Sequence, residues 1–146
     1  MHDVTSAPVP APIRLADYAP PPWLVENVAL DVDIHADGTL VTATLACRRN
    51  PAAAAGQLFR LDGEGLETLA IRRDGRSLVQ EEYVLDAHSL TLSGDLPEQF
   101  TLETVVRIQP DANTALSGFY RSRDGYFTQC EAQAFRRITW FPDRPD

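Results

Sequence analysis

Val28-Ala29-Leu30-Asp31-Val32-Asp33-Ile34-His35-Ala36-Asp37-Gly38-Thr39-Leu40-Val41-Thr42-Ala43-Thr44-Leu45-Ala46-Cys47-Arg48 is the stretch that sets the fold class. Its apolar residues recur at every second position, the period of a strand, where successive side chains point to opposite faces. Val28, Leu30, Val32 and Ile34 are therefore expected on a buried face, with Asp31 and Asp33 in water. On the returning arm, Val41, Ala43, Leu45 and Cys47 share one face and Thr42, Thr44 and Ala46 the other. Asp37-Gly38 predicts the hairpin turn between them, since both residues tolerate the positive φ that a tight hairpin demands.

Working outward, Gln99 to Gln109 repeats the pattern, with Phe100, Leu102, Thr104, Val106 and Ile108 on one face. Pro110 to Thr114 ends it. Between these long strands the spacing predicts short ones at Leu58–Asp62, Leu66–Ile71, Leu78–Val79, Tyr83–Leu85 and Leu90–Leu92, with turns at Gly63-Glu64-Gly65, Asp74-Gly75 and Asp86–Ser89. Asn50 to Gly56 reads as a loop. Short strands separated by frequent turn signals predict an all-β domain, an antiparallel β-sandwich or saddle-like sheet, with no helix of ordinary length. Residues 1–22 hold six of the eleven prolines and predict an extended arm. Its Ile13, Leu15 and Tyr18, with Trp23, are apolar enough to dock on a neighbour. Residues 23–146 form the domain, and 146 residues suffice for one core.

The formal charge of −8, with thirteen arginines scattered among twenty-one acids, argues against a nucleic-acid surface. There is no lysine, which excludes Schiff-base chemistry. The apolar runs are too short for a membrane span. The start Met1-His2-Asp3-Val4 lacks the pattern of a signal peptide, so the expected compartment is cytoplasmic, with Cys47 and Cys130 as reduced thiols. His2, His35 and His88 stand apart, without the spacing of a metal motif. A thiolate at Cys130 with His88 as base would lack a group to orient the base.

The segment Thr128-Gln129-Cys130-Glu131-Ala132 is the candidate site. If it is extended, Gln129 and Glu131 share a face and Cys130 points away as a small apolar side chain. A carboxylate that only accepts, beside an amide that donates and accepts, suits a cation that also needs neutral partners. A solvated strand carboxylate is the plainer reading of the same residues. Arg136, Arg137, Asp143 and Arg144 read as partners in ion pairs and loop contacts.

Asn113-Thr114-Ala115-Leu116-Ser117-Gly118-Phe119-Tyr120-Arg121-Ser122, followed by Phe127-Thr128-Gln129-Cys130-Glu131-Ala132-Gln133-Ala134-Phe135-Arg136-Arg137-Ile138-Thr139 and Asp143-Arg144-Pro145-Asp146, strongly resembles the N-terminal domain of bacterial aminopeptidase N. Asp17-Tyr18-Ala19-Pro20-Pro21 and Leu61-Asp62-Gly63-Glu64-Gly65-Leu66 extend the resemblance toward the front. That family comprises zinc-dependent enzymes that remove N-terminal residues from peptides. The resemblance implies a β domain packed over a catalytic domain of the same polypeptide. It implies that Glu131 binds the substrate's free α-amino group and that Gln129 lines the pocket for the first side chain.

Phe127, Gln133 and Ala134 stand where the family has cysteine, glutamate and glycine. The family's zinc motif His-Glu-x-x-His does not occur in these residues. Zinc and catalysis are thus expected outside this chain, which by itself should bind no metal and hydrolyse nothing. Ile138, Trp140 and Phe141 close to the last residue suggest apolar patches left by missing strands. The alternative is a stand-alone β-sandwich binding module that captures a partner or a small cationic ligand.

Overall fold

The computed structural model describes residues 12–145. In chain order the strands are β1 (Trp23–His35), β2 (Gly38–Arg49), β3 (Phe59–Asp62), β4 (Glu67–Arg73), β5 (Arg76–Ser77), β6 (Tyr83–Leu85), β7 (Ser89–Leu92), β8 (Gln99–Ile108), β9 (Gly118–Ser122) and β10 (Gly125–Gln129). Among the described residues the helical elements are four single 3-10 turns. The expected all-β class therefore holds.

β1 and β2 pair antiparallel from Trp23↔Arg49 to His35↔Gly38. The two turn residues are thus Ala36 and Asp37. Positive φ falls one position later, at Gly38 (+139°). β8 lies on the other side of β2 and β4 beyond it, giving a five-stranded sheet in the order β1-β2-β8-β4-β5. The β4–β5 turn does use Asp74 and Gly75 at φ +50° and +80°, as a tight hairpin requires. β3, β7 and β6 form a second antiparallel sheet, and β9 with β10 a separate hairpin.

The two larger sheets share one core. Val41, Leu45, Leu102 and Val106 come from the five-stranded sheet, and Phe59, Leu61, Leu90 and Leu92 from the three-stranded one, all at most 2% exposed. The strand faces expected for β2 and β8 are the observed ones. Trp23, Phe59 and Phe100 meet edge to face with centroids 5.2–5.7 Å apart, the arrangement ring quadrupoles favour. Arg49 stacks 4.3 Å over Trp23.

Three expectations need correction. Val28, Leu30, Val32 and Ile34 are not buried; they are 37–46% exposed, because β1 is an edge strand whose inner face nothing fully covers. The fifth strand is Arg76–Ser77, and Leu78–Val79 instead leads into a 3-10 turn at Gln80–Glu82. In the arm, Ile13 and Leu15 are over 90% exposed and Tyr18, with the Arg144 guanidinium 5.9 Å over its ring, 57%; Trp23 enters the core. Ile138 and Trp140 are buried at 6% and 2%, so they close the core from its far end.

The Gln80–Glu82 turn has a definite electrostatic cause. The Glu82 carboxylate accepts from both Arg76 terminal nitrogens, at 2.6 and 2.9 Å, and from the Val79 N–H at 3.0 Å. These donors, Arg76 first, lower its pKa to about 2. Because the folded value is depressed, this contribution is full above pH 4.5 and is lost as the pH falls toward 2. An NMR titration should place the midpoint of the Glu82 carboxyl at about 2. A midpoint near 4.5 would mean that the cap is not formed.

Candidate functional site

The candidate segment hangs from the β9–β10 hairpin. Asn113 Nδ2 donates to the carbonyls of Ser117 (2.7 Å) and Phe119 (2.9 Å), fixing where β9 starts. Gly118 opens β9 at φ +79°, and a Cβ there would lie 2.6 Å from Arg137 Cβ, so glycine meets both a conformational and a steric demand. The turn at Arg123 and Asp124 reverses the chain, and Phe119–Tyr126 and Tyr120–Phe127 stack across the strands at 5.5 and 5.9 Å. Arg121 anchors the hairpin to Asp111 at 3.0 Å.

β10 ends at Gln129 opposite Gly118. The segment is therefore not extended throughout. Cys130 starts a turn closed by the Ala134 N–H on the Cys130 carbonyl at 3.0 Å, followed by the 3-10 turn Phe135–Arg137. Gln129 and Glu131 are brought together by a different device from shared strand face: Gln129 Oε1 accepts the Glu131 backbone N–H at 3.1 Å. Both side chains are exposed. The Glu131 carboxylate makes no ion pair among the described residues, and the Gln129 NH2 group makes no hydrogen bond there. The Glu131 carboxylate and the Gln129 NH2 group are thus both left open to solvent at a turn fixed by its own backbone.

The surrounding charges are occupied elsewhere. Arg136 donates from Nε to Asp143 at 2.9 Å, and Arg137 reaches Glu64 at 2.9 Å. Arg144 donates to the Ala19 carbonyl at 2.9 Å, tying the proline-rich arm to the last residues. The structural role read for these arginines holds. Ala134 is buried at φ −110°, so the position has no need of glycine's positive φ.

Cys130 is half-buried against the core, and burial first, then the charge of Asp143, raises its pKa. Cys47 is buried outright and is pushed up to about 12. His88 sits in the Asp86–Ser89 turn and does not line the cleft bordered by Cys130, so no thiol–imidazole pair forms. A thiol reagent should therefore modify Cys130 slowly in the native protein and Cys47 only on unfolding. Equal rates for the two would show that the core opens at β2.

Among the described residues no three of His, Cys, Asp and Glu converge as a metal site. The β9–β10 hairpin was missed by sequence reasoning. Asp124-Gly125 between two aromatic runs was the available signal.

No family model matches the chain. It is 44% identical over 137 residues to aminopeptidase N of Caulobacter vibrioides, covering 94% of this chain and 16% of that protein. Its fold superposes on aminopeptidase A of Legionella pneumophila, solved in complex with aspartic acid, with a TM-score of 0.85, 26% identity, and coverage of 92% of this chain and 16% of that one. A two-domain zinc metallopeptidase bound to L-tryptophan shares the fold, with a TM-score of 0.67, 16% identity, and coverage of 87% of this chain and 31% of that one. The chain spans about a sixth of the length of the aminopeptidase N it matches. With this identity along nearly all of its length and the same β architecture, the chain belongs to the aminopeptidase N family and corresponds to its N-terminal β domain.

Proposed function

We propose that this chain is the recognition part of a cytoplasmic zinc aminopeptidase, residues 23–146 forming its N-terminal β domain behind a proline-rich arm. Glu131 binds the protonated α-amine of a peptide, and Gln129 borders the pocket for its first side chain. The observation that carries this reading is the exposed Glu131 carboxylate, unpaired among the described residues, on the residue whose backbone N–H is held by the Gln129 amide oxygen. An ammonium with three donors matches that pair, and a charge-assisted hydrogen bond of this kind contributes about 1.5–3 kcal/mol. The similar aminopeptidase A of Legionella pneumophila was solved with aspartic acid, a ligand with a free α-amine, which supports the same chemistry.

Zinc, if bound by the full-length polypeptide, would supply the activated water for hydrolysis. No donor set for it converges among the described residues, so its ligands belong to other parts of that polypeptide. The chain alone is then inactive. No helix among the described residues is long and apolar enough to cross a membrane. The matched relative's much greater length favours this reading over a self-sufficient binding module. The test is kinetic, in the full-length polypeptide: Glu131→Gln should impair cleavage of peptides with a free N-terminus. Unaltered kinetics would remove Glu131 from the site.

A further inference from the structure

We propose that Asp143 is a positioning residue for α-amine recognition, acting through the turn that carries Glu131. The inference rests on Glu131 binding the α-amine, and it extends that role to what fixes the carboxylate in place.

The β9–β10 hairpin pairs with neither of the two larger sheets. A two-stranded hairpin is marginal by itself, so the turn that follows β10 needs a tether to the main body. Asp143 supplies it from both sides. Its Oδ2 accepts the Arg136 backbone N–H at 3.2 Å and Arg136 Nε at 2.9 Å, which fixes the backbone of the 3-10 turn as well as the side chain. Its own N–H donates at 3.3 Å to Oδ2 of Asp62, the last residue of β3. The path from the second sheet to the Glu131 turn therefore runs through Asp62, Asp143 and Arg136.

Asp143 also borders the turn itself. Gln133 lines the same cleft as Asp62, Arg136 and Asp143. The Cys130 thiol, raised first by burial, is raised further by the Asp143 charge. Asp143 thus bears on residues before and after Glu131, while Glu131 stays in solvent. The Asp143 side chain is 10% exposed and that of Arg136 26%, against 41% and 32% for Glu64 and Arg137, the other ion pair at this turn. Losing one partner of a shielded pair leaves the other charge uncompensated, whereas an exposed pair contributes little. A recognition group misplaced by about 1 Å can cost about a hundredfold, so Asp143 can govern recognition without touching the substrate.

The test compares kcat/KM for the free and the N-acetylated form of one peptide, in the full-length polypeptide. Asp143→Ala should lower the free-to-acetylated ratio by at least about fivefold. Asp143→Asn, whose amide oxygen can accept both Arg136 bonds, should lower it by less than about twofold. In a Glu131→Gln background, Asp143→Ala should move the ratio by less than about twofold, because the group it positions is gone. An unchanged ratio in Asp143→Ala, where Glu131→Gln lowers it, would overturn the positioning role and leave the reading of Glu131 standing. A ratio that Glu131→Gln itself leaves intact would overturn both. Asp143→Asn as impaired as Asp143→Ala would show that charge matters and position does not, and an effect that persists beside Glu131→Gln would show a route other than Glu131; either overturns the proposal. If Asp143→Ala does not fold, Arg136→Ala, which removes the side-chain half of the same link, takes its place under the same criteria, with an expected loss of at least about threefold.

Discussion

Gly63→Ala is expected to destabilise the domain by about 1–3 kcal/mol or more through overpacking, although it adds one methyl group. That methyl would overlap Trp140 Cζ3 and Cε3 and lie 2.7 Å from Cη2. Neither side can yield cheaply. Trp140 is 2% exposed, and its indole N–H donates to Thr68 Oγ1 at 2.8 Å. The chain around Gly63 is pinned by its own N–H on the His88 carbonyl at 3.1 Å, and by reciprocal bonds of 2.9 and 3.1 Å between Asp62 and Phe141. Trp140→Ala should cost about 3–5 kcal/mol by emptying the same space. Because the two changes address one contact, the double variant should be less destabilised than the sum of the singles. Urea unfolding of the four proteins measures the coupling. Additive losses, or a Gly63→Ala midpoint equal to that of the wild type, would show that the indole does not lie on Gly63.

This contact also marks where sequence reading stops. Period-two alternation located β2 and β8 and named their inward residues correctly, because both are central strands with one face against the second sheet. The same alternation in β1 carries the same apolar signal, but burial depends on what lies across from a strand, and local pattern does not contain that. Trp140 illustrates the converse. Near the last residue it read as a patch left open, yet it folds back more than seventy positions to fill the gap above Gly63. For the site, the residue pair was legible and its geometry was not. Gln129 and Glu131 were expected to meet by sharing a strand face, whereas a side-chain to backbone hydrogen bond joins them after the strand has ended. Such local bonds compete with the sheet ladder, and alternation counting does not register them.

Glu131→Gln in the full-length polypeptide is expected to lower kcat/KM for peptides with a free N-terminus by about ten- to a hundredfold, the equivalent of one charge-assisted hydrogen bond. The substitution keeps the shape of the side chain and removes its charge. Its effect on folding should be within about 0.5 kcal/mol, since Glu131 is exposed and the bond it shares with Gln129 uses only its backbone N–H. Gln129→Ala should cost less in catalysis, about 0.5–1.5 kcal/mol, because it removes a neutral partner. It also frees the backbone of the turn. A carboxylate built for an ammonium should penalise an N-acetylated peptide, which would leave it unpaired, so Glu131→Gln should narrow the gap between free and acetylated substrates. That narrowing separates recognition from a merely structural role. A carboxylate that only steadied the turn would change both substrates alike, and with the wild-type ratio intact after Glu131→Gln the α-amine would have to be bound by another group.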